Sequence, residues 1–224
     1  MLLTLIGKER NEMRSHLSIA ILMIIAALTY GCSDPSANKQ KATVANAQQE
    51  SNAPKSSGTE TLTISPANSK VEFVASKVTR SHNGSFKQFS GQIDLDPNNI
   101  PAGRVTIDID TSSVVADDDQ LTGHLKTPDF FDVAKFPKAT FVSTKIEPGT
   151  GAQTFNVTGN FDLHGVKKSI SFPATINVTP ENVTINAEFS INRKDFGIVY
   201  AGKADDLIRD GVVIKLNLNV PRKK

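Results

Sequence analysis

From Thr61 onward the sequence alternates apolar and polar residues in short runs, and this period of two limits the fold more than any other feature. In a β-strand successive side chains point to opposite faces, so each run predicts a strand with one apolar and one polar face. Eight runs of this kind lie at 71–75, 89–95, 105–109, 139–143, 155–163, 170–178, 183–191 and 212–220. They predict an all-β domain over residues 61–224 whose antiparallel sheet is covered on one side.

Turn residues separate these runs, among them Asn83-Gly84 and His164-Gly165. The alternation is broken once, where Asp117-Asp118-Asp119 is typical of a helix start and Pro128 of the residues after a helix end. We therefore expect an eight-stranded antiparallel barrel with one short helix and an apolar interior, and a β-sandwich is the alternative. A barrel of this size is either filled by its side chains or holds one small ligand, and alternation alone does not decide which.

The N-terminus has the features of an export signal. Leu17 to Leu28 is an apolar run that is shorter than the roughly 20 residues of a membrane-spanning helix. With the basic flank at Arg14 it matches a secretory signal, which we assign to residues 1–31 with Met13 favoured as the true start. The following Thr29-Tyr30-Gly31-Cys32 resembles the lipobox of bacterial lipoproteins, although Thr29 stands where Leu is usual. Signal cleavage at another nearby bond and an uncleaved anchor stay open as alternatives.

The lipobox resemblance implies that Cys32 is acylated and that the chain is lipid-anchored in the cell envelope. Ser33, rather than Asp, follows the cysteine, which favours the outer membrane facing the periplasm. Residues 33–60 contain one large apolar side chain, Val44, so we expect the segment 32–60 to be a lipidated cysteine followed by a disordered tether.

Composition argues against several classes of function. The chain has 25 basic and 23 acidic side chains, so nucleic acid is not an expected partner. It has no G-x-S-x-G nucleophile motif, and its one cysteine precedes the domain, so we do not expect an enzyme. His82, His124 and His164 lack the i, i+4 spacing of helical metal ligands, so no metal site is expected.

Three segments, in order, resemble the YceI-like family of exported bacterial proteins, also called polyisoprenoid-binding proteins. The segments are His124 to Val133 with Phe136 to Phe141, Val157 to Lys168, and Asn192 to Ile198. The resemblance runs from about Thr61 to Val220. It implies a lipocalin-like barrel that encloses a long isoprenoid, such as a polyprenyl chain or a quinone tail, and no other cofactor.

The resemblance favours an occupied barrel, whose inward-facing residues would then touch the lipid. The candidates are Phe73, Phe89, Ile107, Phe141, Phe155, Phe161, Phe172 and Phe189. Arg193 is a candidate contact for a lipid headgroup, or else forms an ion pair with Asp195 two positions along the same strand face. We expect a protein that binds or carries an apolar lipid. A solid-barrel structural or stress protein and a lipid-modifying enzyme are the alternatives, and the sequence does not indicate an oligomeric state.

Overall fold

The structure is a computed structural model that describes residues 34–50 and 59–222. Its strands are β1 (Thr43–Asn46), β2 (Glu60–Ile64), β3 (Ser69–Ser76), β4 (Ser81–Phe86), β5 (Phe89–Leu95), β6 (Arg104–Asp110), β7 (Val114–Ala116), β8 (Lys138–Pro148), β9 (Thr154–Leu163), β10 (Val166–Val178), β11 (Asn182–Asn192), β12 (Gly202–Lys203), β13 (Asp206–Leu207) and β14 (Gly211–Pro221). One α-helix, α1 (Asp119–Leu125), occurs in these ranges. None of the described helices is long and apolar enough to span a bilayer.

Twelve of the described strands form one curled antiparallel sheet. Its order is β2-β5-β6-β8-β9-β10-β11-β14-β3-β4-β7, with β1 paired to β10, while β12 and β13 form a separate hairpin. Each of the eight predicted runs lies in one of the longer strands of this sheet. The predicted total of eight is nevertheless wrong, because β1, β2, β4 and β7, of three to six residues each, also pair into it.

The predicted turn at Asn83-Gly84 is also wrong. Both residues lie inside β4, where Asn83 is paired with Val74 and Gly84 with Phe73. Glycine is required here for close packing, since a β-carbon at Gly84 would overlap the Phe73 ring. A glycine within a strand often marks such a close approach, which the sequence alone does not distinguish from a turn.

The predicted helix is confirmed. The Asp118 carboxylate accepts a hydrogen bond of 2.8 Å from the Leu121 amide at the first turn of α1. This N-cap satisfies one of the amides that a helix start leaves unpaired. The helix ends at Leu125, three residues before Pro128.

The prediction of a disordered tether is wrong for residues 34–50. Thr43–Asn46 pair with β10 as strand β1, and Ala42 is only 3% exposed within the core. The position of the segment 34–50 is fixed by backbone hydrogen bonds and polar contacts. The number of large apolar residues does not predict such contacts. Residues 51–58, Cys32 and the signal segment 1–31 lie outside the described residues.

Candidate functional site

A cavity of about 250 Å³ lies at one end of the curled sheet, where α1 and the segment 200–208 meet β3 and β4. We call it the mouth cavity. Apolar walls from Phe73, Leu125 and Ile208 surround it, together with the polar residues Ser76, Lys77, His82, His124, Tyr200, Lys203 and Asp206. The helical interruption in the strand pattern therefore forms one side of an opening into the sheet.

Two histidines of the mouth cavity are each held by a carboxylate. His82 Nδ1 lies 2.8 Å from Asp117 Oδ1, and His124 Nε2 lies 2.7 Å from Asp129 Oδ2. Burial raises the pKa of Asp117, but hydrogen bonds from the Asn83 amide and from His82 outweigh it and hold the pKa below its ordinary value. These contacts fix the orientation of both imidazole rings. Within the described residues no group of three metal-ligating side chains comes together.

A ring cluster completes the mouth. The rings of His124, Phe130 and Tyr200 contact one another edge to face, with centroids 4.9 to 5.5 Å apart.

Further inside lie two smaller cavities whose exposed surface is apolar. The upper cavity, of about 90 Å³, shares Phe73, Leu125 and Phe130 with the mouth cavity. The lower cavity, of about 70 Å³, shares Phe73, Phe86 and Phe161 with the upper one. A third space of about 20 Å³ lies below it, behind Phe141 and Phe172. The cavities thus form a row that leads from the mouth cavity, which has some polar side chains in its lining, into the apolar interior.

Two glycines let aromatic rings approach the sheet closely in this row. A β-carbon at Gly159 would overlap the Phe141 ring and the backbone of Val142, as one at Gly84 would overlap Phe73. Both rings line the lower cavity. The alternation in the sequence therefore includes small residues whose role is to make room for a neighbouring ring.

Six of the eight predicted lining residues come together around the lower cavity. They are Phe73, Ile107, Phe141, Phe161, Phe172 and Phe189. The other two lie elsewhere: Phe89 is buried and borders a shallow surface pocket, and Phe155 is partly buried at the start of β9. Contact of any of these side chains with lipid stays a prediction.

Arg193 is placed differently from the sequence interpretation. It lies in a 3₁₀ turn after β11 rather than on a strand, and its partner is Asp210 at 3.3 Å rather than Asp195. Its guanidinium also donates to the carbonyls of Ile198, Ile208 and Arg209. Burial lowers the pKa of Arg193 and Asp210 opposes this. These bonds tie together both ends of the segment 198–210 beside the upper cavity, and we therefore assign Arg193 to the support of the mouth.

Several lining residues were not singled out from the sequence. Ile109, Ile214 and Leu216 continue the alternation and could have been found from it. Phe130 and Phe131 lie between α1 and β8, in a segment without periodicity, so their inward position follows from the tertiary fold alone.

The chain matches the YceI-like domain over residues 62–220. It belongs to the YceI-like family. Among its relatives are UPF0312 proteins of Pseudomonas putida strain W619, 37% identical over 121 residues, and of Pseudomonas fluorescens strain SBW25, 34% identical over 131 residues. These matches cover 51% and 56% of this chain and 62% and 68% of the two relatives. The chain therefore spans less than two thirds of the length of the Pseudomonas putida protein.

Solved structures share the fold of this YceI-like chain. Burkholderia cenocepacia BcnA has a TM-score of 0.63 at 29% identity, covering 70% of this chain and 98% of BcnA. A polyisoprenoid binding domain from Saccharophagus degradans has a TM-score of 0.60 at 20% identity, covering 73% of this chain and 98% of that domain. At that identity the second likeness concerns the fold alone.

Proposed function

We propose that this YceI-like protein binds a long apolar lipid of the isoprenoid class, with its tail along the row of cavities and its polar end at the mouth. The observation that carries the proposal is the row itself, in which an opening that has polar side chains in its lining leads into cavities with apolar surfaces. A few polar groups at the entrance of an apolar interior fit a molecule with one polar end and a long hydrocarbon tail. The polyisoprenoid binding domain with the same fold agrees with this reading but does not carry it.

The driving force is transfer of the tail out of water. Each buried CH₂ contributes about 0.8 kcal/mol, so a few isoprene units suffice for tight binding without any polar anchor. The upper and lower cavities, about 90 and 70 Å³, are small beside the roughly 300–1,000 Å³ of ordinary ligand pockets. The side chains of Phe73, Phe86 and Phe161 line both cavities, so we expect them to rotate aside when a tail binds.

The mouth would hold the headgroup. The His82 ring and the Tyr200 side chain border the mouth cavity and offer hydrogen bonds to a carbonyl, hydroxyl or phosphate. Such contacts orient the ligand, while the tail supplies most of the affinity.

The experiment is a titration of delipidated protein with isoprenoid quinones that carry the same headgroup and tails of increasing length. Affinity should rise with each added unit until the row is filled and then level off. Phe161→Leu should weaken binding of long tails more than of short ones, whereas Tyr200→Phe should weaken all of them equally. An affinity that does not depend on tail length contradicts the proposal.

We also propose that the protein acts at the envelope as a lipid-anchored module, through acylation of Cys32. The support is the sequence Gly31-Cys32 at the end of the apolar run. Stable anchoring needs more than one lipid signal, as in a diacylated cysteine. Cys32→Ser should release the protein from membranes, and an unchanged distribution between membrane and soluble fractions contradicts the anchor.

Modification of the bound lipid is the second candidate, favoured by the two carboxylate-held histidines at the mouth. Such imidazoles can move protons to and from a substrate. Incubation with an isoprenoid quinone or polyprenyl phosphate and mass analysis of the lipid distinguishes the two. A changed mass that is lost in His82→Gln supports an enzyme, and an unchanged mass supports binding alone.

A further inference from the structure

The wall of the curled sheet has a seam between β10 and β11. These strands pair directly only from Thr175 with Asn186 to Val178 with Val183, at the end away from the mouth. Closer to the mouth, the facing edges of β10 and β11 are not paired with each other, and both bond to residues 40–46 instead. The two strands therefore diverge over the half of the wall that lies nearest the mouth.

Residues 40–46, here called the strap, fill this seam. Thr43–Asn46 pair antiparallel with Lys168 to Ser171 of β10. On the other side the Ala42 amide donates to the Ser190 carbonyl at 2.8 Å, and the Ser190 amide donates to the Gln40 carbonyl at 2.9 Å. Because β10 and β11 are antiparallel, a strand between them must run parallel to one, and the Lys41–Ser190 bridge to β11 is parallel. The strap is therefore an inserted strand of the wall.

Directly inside the seam lies the lower cavity. Phe172 follows Ser171 and Phe189 precedes Ser190. Ser171 and Ser190 are both partners of the strap, and both phenylalanines line that cavity. Ala42 belongs to the buried core and Val44 packs against it. The strap thus separates the apolar interior from the outside of the protein.

The strap is held mainly by polar contacts that water can replace. On its N-terminal side Lys39 pairs with Glu188 at 3.1 Å, and on its C-terminal side Glu50 pairs with Lys167 at 2.9 Å. All four side chains are partly exposed, and exposed ion pairs contribute little to stability. The Asn160 side-chain amide adds a clasp, since it accepts from the Gln48 amide at 2.8 Å and donates to the Gln48 carbonyl at 2.7 Å. Among the described residues of the strap, only Ala42 is fully buried.

We propose that the strap is a displaceable part of the wall, and that its release opens a lateral portal between β10 and β11 through which an apolar tail enters sideways. This inference rests on the proposed function. A tail that enters through the mouth must thread past the ring cluster of His124, Phe130 and Tyr200 along its whole length. A side opening lets the whole length of the tail enter at the same time, while its polar end stays at the mouth. Segments with little buried apolar surface open locally at low cost, which suits a wall element of this kind.

A disulfide between the strap and β10 tests the portal. Thr43 and Ser171 are direct partners in the antiparallel pair, so Thr43→Cys with Ser171→Cys, in full-length protein carrying Cys32→Ser, should form a bond when oxidised. A matched control places the bond between β5 and β6, with Gln92→Cys and Thr106→Cys. The measurement is the time course of loading with an isoprenoid quinone from vesicles, followed by native mass spectrometry.

Oxidation of the strap disulfide should slow loading by about ten-fold or more, because local opening is blocked, and reduction should restore the rate. The control disulfide should leave the rate unchanged, and Asn160→Ala should speed loading because the clasp is lost. Equal loading rates in the oxidised and reduced strap variant overturn the portal while the binding function stands. Absence of loading in the reduced variants and in the unmodified protein overturns the binding function itself.

Discussion

The rings of Phe172 and Phe189 stack face to face, with centroids 4.1 Å apart and an interplanar angle of 11°. They belong to β10 and β11 at a level where these strands are not paired with each other. The stack therefore bridges the seam from inside, while residues 40–46 close it from outside. The strap precedes the predicted domain, residues 61–224. The stacked rings therefore place the lower cavity next to a part of the wall that the domain prediction did not include.

Truncation of a cavity-lining ring should weaken lipid binding more than it weakens the fold. Phe161 is partly buried beside the cavities, whereas its ring neighbour Phe196 is 0% exposed, with centroids 5.2 Å apart. Phe196→Ala should cost about 3–5 kcal/mol of unfolding free energy, and Phe161→Ala about 2 kcal/mol or less, because Phe161 has fewer packing partners. Urea unfolding of delipidated protein checks this, and equal losses in the two variants would indicate a filled interior.

The glycine beneath Phe141 should not tolerate a methyl group. Gly159→Ala would force the Phe141 ring away from the sheet, and the nearby Val142 carbonyl leaves no room for relief. We expect a loss of about 1–3 kcal/mol, the usual cost of overpacking. Gly123→Ala is the control, since nothing lies within 4 Å of the added carbon and alanine favours a helix. Thermal melts should move down for the first variant and slightly up for the second.

The bonds of Arg193 should depend on its forked geometry and not only on its charge. Arg193→Lys cannot reach the carbonyls of Ile198 and Ile208 together with Asp210, so buried acceptors lose their donors. We expect a loss of about 2–4 kcal/mol and faster amide exchange across 198–210. Lys194→Gln, which removes an exposed contact of 3.0 Å to the same Asp210, should cost under about 1 kcal/mol. Similar losses for both would show that charge alone matters.

Attachment of the strap should weaken in acid. Hydrogen bonds from Lys167 and Lys39 hold the pKa values of Glu50 and Glu188 below the ordinary 4.5. A carboxylate whose pKa is lowered by folding stabilises the attached state above 4.5, and this stabilisation is lost as the pH falls through the folded-state pKa. Hydrogen exchange of the Ala42 amide, corrected for intrinsic rates, should therefore be faster than at pH 7 once the pH falls below the folded-state pKa values of Glu50 and Glu188.

A double variant tests the cause of the acid effect. Glu50→Gln with Glu188→Gln should show, already at pH 7, the Ala42 exchange that the unmodified protein reaches in acid, and little further change in acid. Glu147→Gln removes a carboxylate paired with Lys145 away from the strap and should behave like the unmodified protein. If the double variant keeps the full pH response, other groups control the strap.

The sequence predicts the strands and the helix well, because each depends on local patterns. The alternation of Val183 to Ile191 and the cap at Asp118 are recognisable without any knowledge of neighbours. The total number of strands is harder to predict from the sequence. β7, with three residues, is a strand only because Val114 to Ala116 meet Phe86 to Gly84.

The site is predictable in part, for the same physical reason. Phe141 and Phe172 face inward by alternation, and their rings contact each other at 5.6 Å. Phe131 and the pairing of residues 43–46 depend on which surfaces the folded sheet brings near, and a period in the sequence does not encode that. The sequence pattern places Arg193 on a strand, but in the structure a 3₁₀ turn follows Asn192.

The most direct test of the central claim is native mass spectrometry of the full-length protein purified gently from its host. The account predicts a bound mass that is released on unfolding and that fragments as an isoprenoid lipid. It also predicts that this mass is depleted in Phe161→Ala but retained in the surface variant Glu147→Gln. Protein that carries no lipid, and that takes up no isoprenoid quinone when one is supplied, would contradict the account and indicate a solid barrel.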